Sequence, residues 1–148
     1  MKCRMMRLAG VAVAVCLASA GAADGFFDVL EAKEAEWRAA GMDAGLLAQV
    51  LDGALVHVDH CAACHGDDGQ RGQGYAHAII GTRGLDKFGT SHRLFVYNRQ
   101  LMPFSQPGSL DPAEVWQVTA WLMAMNGWLD GLDAPLGPDN ARTVRIGG

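Results

Sequence analysis

The sequence predicts an all-α domain. Apolar residues recur at helical spacing in several stretches, and β-branched residues seldom alternate with polar ones. Most of these stretches are opened by a residue that can cap a helix or closed by glycine or proline. A chain of 148 residues, 50% hydrophobic and 19% charged, fits one globular domain.

Asp24 can cap a first helix running to about Ala40. Phe26, Phe27, Leu30 and Trp37 lie on or near one side, with Glu31, Lys33, Glu34 and Glu36 mostly opposite. Gly41 fits a C-terminal stop. Asp43 can cap a second helix reaching toward Val58, with Leu46, Leu47, Val50, Leu51 and Leu55 as its apolar stripe. Gly66 to Gly89 is glycine-rich and reads as loop. Ser91 caps a short helix, His92 to Leu101, which Pro103 ends by pushing the residue before it out of the α region. Pro107 and Gly108 mark a turn. Asp111, with Pro112 behind it and Glu114 three residues on, opens the last helix in capping-box fashion. Val115, Trp116, Val118, Thr119, Trp121, Leu122 and Met125 make that helix apolar on much of its circumference, and Gly127 ends it. Gly131 to Gly148, with Pro135 and Pro138, reads as an extended tail. No internal repeat is visible.

The N-terminus has the pattern of a secretory signal peptide. Lys2, Arg4 and Arg7 form a basic region, Leu8 to Ala18 a short apolar run, and Ala18-Ser19-Ala20 a cleavage site. This predicts export to the periplasm. The run is too short to span a bilayer comfortably, and no other segment has the character of a membrane span. Val13-Ala14-Val15-Cys16 only loosely resembles a lipoprotein box, because Val15 is bulky where a small residue is expected. Cleavage after Ala20 removes Cys3 and Cys16, so Cys61 and Cys64 alone remain. It also removes three of the twelve basic residues, leaving nine against sixteen acidic and a net charge of −7. Such acidity disfavours nucleic-acid binding. It suits a partner with a basic patch, and equally suits simple solubility.

The chemistry-bearing motif is Cys61-Ala62-Ala63-Cys64-His65. Cys-x-x-Cys-His is the attachment signature of c-type haem. Two thiols at i and i+3 on a helical turn point the same way and can add to the two vinyl groups of one porphyrin. His65, at i+4 from Cys61, lies on the same face and can offer a nitrogen to iron. A zinc site would need two more ligands at suitable spacing, and no second Cys pair follows. A thioredoxin-type pair expects a βαβ context, and a disulfide over so short a loop stabilises little. The histidine has no role in any of these alternatives.

An electron-transfer haem usually needs a second axial ligand. Met42 lies at a helix boundary before the motif, and Met123 and Met125 sit in an apolar helix where methionine fills core space. Met102 ends a helix and precedes Pro103, which fixes its backbone as extended. It lies 37 residues after His65, enough chain to wrap from one haem face to the other. Met102 is therefore the predicted sixth ligand, with His77 and His92 as bis-His competitors and an open iron as the remaining alternative.

Together these features resemble a class I c-type cytochrome, over roughly Leu51 to Gly127. The resemblance rests on Gly53, Cys61-Ala62-Ala63-Cys64-His65-Gly66, Met102-Pro103 and the final helix. It implies helices wrapped around one covalently attached haem c, with an extra N-terminal helix. It also implies that the helix before the motif crosses the last helix at a glycine and an aromatic pair. Gly53 and Trp121 stand at those positions, and His57 stands where an aromatic is usual.

A narrower resemblance, to the haem subunits of periplasmic sulfite dehydrogenases, lies in Leu94-Phe95-Val96-Tyr97-Asn98-Arg99-Gln100-Leu101-Met102-Pro103-Phe104. It continues through Pro107-Gly108-Ser109-Leu110, Glu114-Val115-Trp116 and Val118-Thr119-Ala120-Trp121-Leu122 to Asn126-Gly127. In such proteins residues placed like Tyr97 and Arg99 contact propionates or the partner surface. The Gly-Pro usual after the motif is missing, so no carbonyl can be named to orient His65 through its other nitrogen.

The sequence thus divides into a signal peptide at 1–20, a helical extension at 21–50, a cytochrome c domain at 51–130 and a tail at 131–148. The expected function is electron transfer by Fe(III)/Fe(II) cycling, without substrate chemistry of its own. The expected partners are periplasmic redox proteins: a dehydrogenase as donor, and a cytochrome or oxidase as acceptor. The rival reading is an open-site haem that binds peroxide or a diatomic gas.

Overall fold

A computed structural model describes the backbone of residues 4–8, 11–15 and 23–147, and the side chains of residues 25–147. The expected cleavage site Ala18-Ser19-Ala20, and Cys3 and Cys16, lie outside the described residues. Ahead of the domain, β1 (Arg4–Leu8) pairs antiparallel with β2 (Val11–Val15), from Arg4 opposite Val15 to Leu8 opposite Val11. Val11, Val13 and Val15 alternate with alanine, a period of two that suits a strand. The rest of the described chain is all-α, with one isolated bridge between Thr90 and Arg145.

Helix α1 (Ala23–Ala39) begins one residue before Asp24, which therefore occupies its first turn and does not cap it. An acidic residue there suits the positive end of the helix. Phe26 and Trp37 are buried, but Phe27 is 47% exposed and meets Phe26 only edge to face. The buried stripe is narrower than the sequence suggests. Helix α2 (Ala44–His60) is capped as expected, the Leu46 N–H donating to the Asp43 carboxylate at 2.9 Å. Its buried face runs through Leu46, Leu47, Val50, Ala54 and His57. Leu55, assigned to the stripe by sequence, turns to solvent.

After a four-residue helix α3 (Ala62–His65) the chain runs irregularly to a 3-10 helix at Arg83–Phe88, inside the stretch read as loop. Leu85 and Phe88 bury there. Helix α4 (Ser91–Leu101) is capped by Thr90 and not by Ser91: the Arg93 N–H donates to the Thr90 hydroxyl. Ser91 is fully buried and donates its own hydroxyl to the Ala141 carbonyl at 2.9 Å. Helix α5 (Pro112–Met125) carries the expected capping box, with Ala113 N–H to Asp111 at 2.8 Å and Asp111 N–H to Glu114 at 2.7 Å.

Helix α5 is apolar nearly all round because it is the central element. It packs on α2 along one side and on α4 along another. Burial of Val115, Val118, Trp121 and Met123 supplies much of the hydrophobic stabilisation. The C-terminal segment is not a loose tail. Leu136, Ala141 and Ile146 are buried, and the segment hydrogen-bonds to Gln49 of α2 and to Gly89, Ser91 and His92 at the head of α4. Without regular structure of its own, it straps the first half of the domain to the second.

Candidate functional site

Helix α2 delivers the motif directly. Cys61 ends α2 and opens α3, its N–H bonded to the His57 carbonyl, and the His65 N–H closes the turn on the Cys61 carbonyl at 2.9 Å. Cys61 and Cys64 are free thiols. Cys61 is partly buried, and burial, then the neighbouring Cys64, pushes its thiol up to about 11. Cys64 is exposed. The glycine-rich segment then folds back over the motif: Tyr75 N–H bonds the Cys64 carbonyl at 2.9 Å, and a β-carbon on Gly74 would sit 2.6 Å from the Cys64 sulfur. Glycine is what lets the backbone approach the thiol so closely.

Cys61, Cys64 and His65 line a cavity of about 750 Å³. That volume is within the ordinary range of cofactor pockets. Its walls are largely apolar, from Ile79, Leu85, Phe88, Leu94, Val118 and Leu122. His65 is held neutral, because burial lowers its pKa, so the imidazole has a free lone pair at neutral pH. Its Nδ1 is buried with no partner among the described residues, which agrees with the missing orienting carbonyl. The ring meets Tyr75 edge to face, centroids 5.0 Å apart.

Met102 lines the same cavity. It caps α4 in extended backbone, φ −119° and ψ 149°, with its N–H on the Asn98 carbonyl, as a residue before proline should be. Tyr97 also lines the cavity, its ring 4.9 Å from that of Phe88. Arg99 is not in the lining. Its guanidinium donates to the Gly108 carbonyl at 2.8 Å and so braces the turn after Met102. Of the competing histidines, His77 lines the cavity and His92 does not.

Several contributors were not singled out by sequence. Lys87 lines the cavity with its ammonium 5.2 Å from the Phe88 ring and 5.8 Å from the Tyr97 ring. Asn98 lines it and donates to Thr119 on α5. Asn126 ties the end of α5 to the cavity loop, accepting from Gly81 N–H at 2.9 Å and donating to the Ile79 carbonyl at 3.1 Å. Phe104, 83% exposed, stands at the rim. An Asn just past a helix end was the one usable signal among these.

Two free thiols one helical turn apart, a neutral imidazole and a thioether sulfur on one largely apolar cavity fit a porphyrin bonded at its edge. The fold and this site define a class I c-type cytochrome. The chain belongs to the cytochrome c family, matching over residues 48–122 the family described as "Cytochrome C oxidase, cbb3-type, subunit III". Membership implies a haem c and a role in electron transfer. The chain is 31% identical over 80 residues to a thiosulfate dehydrogenase of Stutzerimonas stutzeri (strain A1501), covering 49% of this chain and 26% of that protein. It superposes on a chain of the sulfane dehydrogenase SoxCD from Paracoccus pantotrophus with a TM-score of 0.54 and 25% identity, covering 66% of this chain and 52% of that one. The chain thus spans about a quarter and about half of the lengths of these two relatives. Among the described residues no helix is long and apolar enough to cross a membrane.

Proposed function

We propose that this chain is a periplasmic, monohaem cytochrome c, exported by its signal peptide, that passes single electrons as the haem subunit or redox partner of a dehydrogenase acting on sulfur compounds. Cys61 and Cys64 would hold the haem through thioethers, and His65 and Met102 would be the ligands to its iron. The observation that carries the proposal is that His65 and Met102, 37 residues apart, line one cavity with both thiols. The relatives, both dehydrogenases of sulfur compounds by name, support the partner class.

When bound, the haem supplies a one-electron Fe(III)/Fe(II) couple. The chain sets the conditions under which that couple works. His65 is kept unprotonated by burial and so is available to a metal at neutral pH. A soft thioether from Met102 and an apolar lining both favour the less charged reduced state and raise the potential. Arg99 braces the turn after Met102 through the Gly108 carbonyl, and Pro103 keeps the Met102 backbone extended. Tyr97 and Lys87, which line the cavity, would be the nearby hydroxyl and ammonium available to a haem's propionates.

The test is the absorption spectrum of the ferric protein purified from the periplasm. Covalent haem and the weak far-red band of thioether-to-iron charge transfer are expected, with the band lost in Met102→Ala. Covalent haem surviving in a Cys61→Ala, Cys64→Ala double variant would refute the attachment. A far-red band absent from the native protein would leave His77 ligation or an open iron, separated by whether the reduced protein binds carbon monoxide.

A further inference from the structure

The position in α2 where the family resemblance leads one to expect an aromatic holds His57. Its side chain is completely buried and stacks on Trp121 of α5, centroids 4.1 Å apart and planes 29° from parallel. A phenylalanine could do as much. The imidazole does one thing more: Nε2 lies 2.8 Å from the Gly66 carbonyl oxygen, on the residue directly after His65. A carbonyl only accepts, so Nε2 carries the hydrogen and Nδ1 is a bare lone pair. In agreement, Nδ1 is buried without a partner among the described residues.

Gly66 is held from every side. Its N–H closes α3 on the Ala62 carbonyl at 2.7 Å, its φ is +82°, and a β-carbon there would collide with the Arg71 carbonyl. Its own carbonyl accepts from Gly69 N–H at 3.1 Å as well as from His57. The His57 donor therefore joins the rigid α2–α5 crossing to the peptide that follows His65. Among the described residues His65 has no hydrogen-bond partner on Nδ1 to fix its ring, so the backbone behind it supplies more of the orientation.

We infer that His57 is a positioning residue for His65: through the Gly66 carbonyl it fixes the main chain from which the axial imidazole projects. The inference rests on the reading of His65 as an axial ligand. Loss of covalent haem from the native protein would end that reading; the tests below apply to holoprotein that has it.

Two variants separate the donor from the packing. His57→Phe keeps an aromatic on Trp121 and removes the donor; His57→Gln keeps an amide donor and removes the ring. Proton NMR of the ferric holoprotein reads the axial ligand through the hyperfine-shifted haem methyls, and voltammetry reads the potential. His57→Phe should shift both methyl pattern and potential, and His57→Gln should return both toward the native values. A native pattern in His57→Phe, or an equal shift in both variants, overturns the inference. Should neither variant fold, ¹⁵N-histidine labelling of the native protein decides. A slowly exchanging proton on Nε2 of His57 is expected, and a proton on Nδ1 overturns it.

Discussion

Gly53 on α2 lies directly against the main chain of Gln117 on α5. A β-carbon built on Gly53 would collide with the Gln117 carbonyl oxygen, lie 2.5 Å from the carbonyl carbon and sit 2.9 Å from Cβ of Trp121. The absence of a side chain sets the distance between the two helices. One turn further along, His57 then stacks on Trp121 and reaches Gly66.

Gly53→Ala should therefore be costly despite alanine's better helix propensity. The clash is with backbone, which cannot rotate away, so about 3 kcal/mol or more is expected from overpacking. Urea unfolding of the holoprotein reads it as a lower midpoint. A midpoint unchanged or raised would mean that the helices do not meet at Gly53.

The C-terminal strap should contribute stability out of proportion to its lack of regular structure. Gln49 holds Leu136 by two hydrogen bonds, its amide donating to the Leu136 carbonyl at 2.8 Å and accepting the Leu136 N–H at 2.7 Å. Leu136→Ala should destabilise the domain by roughly 2–5 kcal/mol, as for other fully buried leucines. Gln49→Ala should cost about 1–2 kcal/mol for the pair of bonds. Thermal unfolding of both variants checks this, and losses below about 0.5 kcal/mol in each would mean that the strap is not part of the core.

Stability should fall on mild acidification. Burial lowers the pKa of His57 below its ordinary 6.5, opposed by the Gly66 carbonyl and the Asp67 and Asp68 charges. Below 6.5 the unfolded chain therefore binds a proton that folded His57 does not. The stabilisation is complete above 6.5 and is lost as the pH falls from there through the lower folded value. Urea midpoints of native protein and His57→Phe compared from about pH 5 to about pH 8 should converge toward the acid end, because phenylalanine has no such proton. Parallel profiles would show that His57 does not titrate in this range.

With Met102 as the proposed ligand, Met102→Ala should lower the midpoint potential and let the reduced protein bind carbon monoxide, since a soft ligand would be lost and an iron face opened. Voltammetry and a carbon monoxide difference spectrum measure the two effects. An unchanged potential with no carbon monoxide binding would remove Met102 from the iron and point to His77.

What could be read from sequence was what is encoded locally. Asp43 and the Asp111-Pro112-x-Glu114 start are short-range patterns, and both cap as expected. Met102 stands extended at the end of α4 because the proline beside it demands it. What failed depended on distant partners. Thr90 and Ser91 are equally good caps on paper, and the choice falls to Thr90 because Ser91 spends its hydroxyl on Ala141, 50 residues away. Leu136 looks like an isolated apolar residue among turn formers until Gln49, 87 residues earlier, meets it. Phe27 and Leu55 fit their helical stripes, but the covering layer does not extend over them. The Arg99 contact to the Gly108 carbonyl, nine residues on, could not be read from its charge alone.

The strap also has a bearing on the order of assembly. A chain is made from its N-terminus, so Cys61, Cys64 and His65 emerge well before Leu136, Ala141 and Ile146. Until those last residues arrive, Gln49 and Ser91 lack their partners, and the strap's own long-range contacts cannot form, although α2, α4 and α5 are already in hand to pack. The Cys61–His65 turn and the helices that carry it are thus complete in sequence before the strap can close over them.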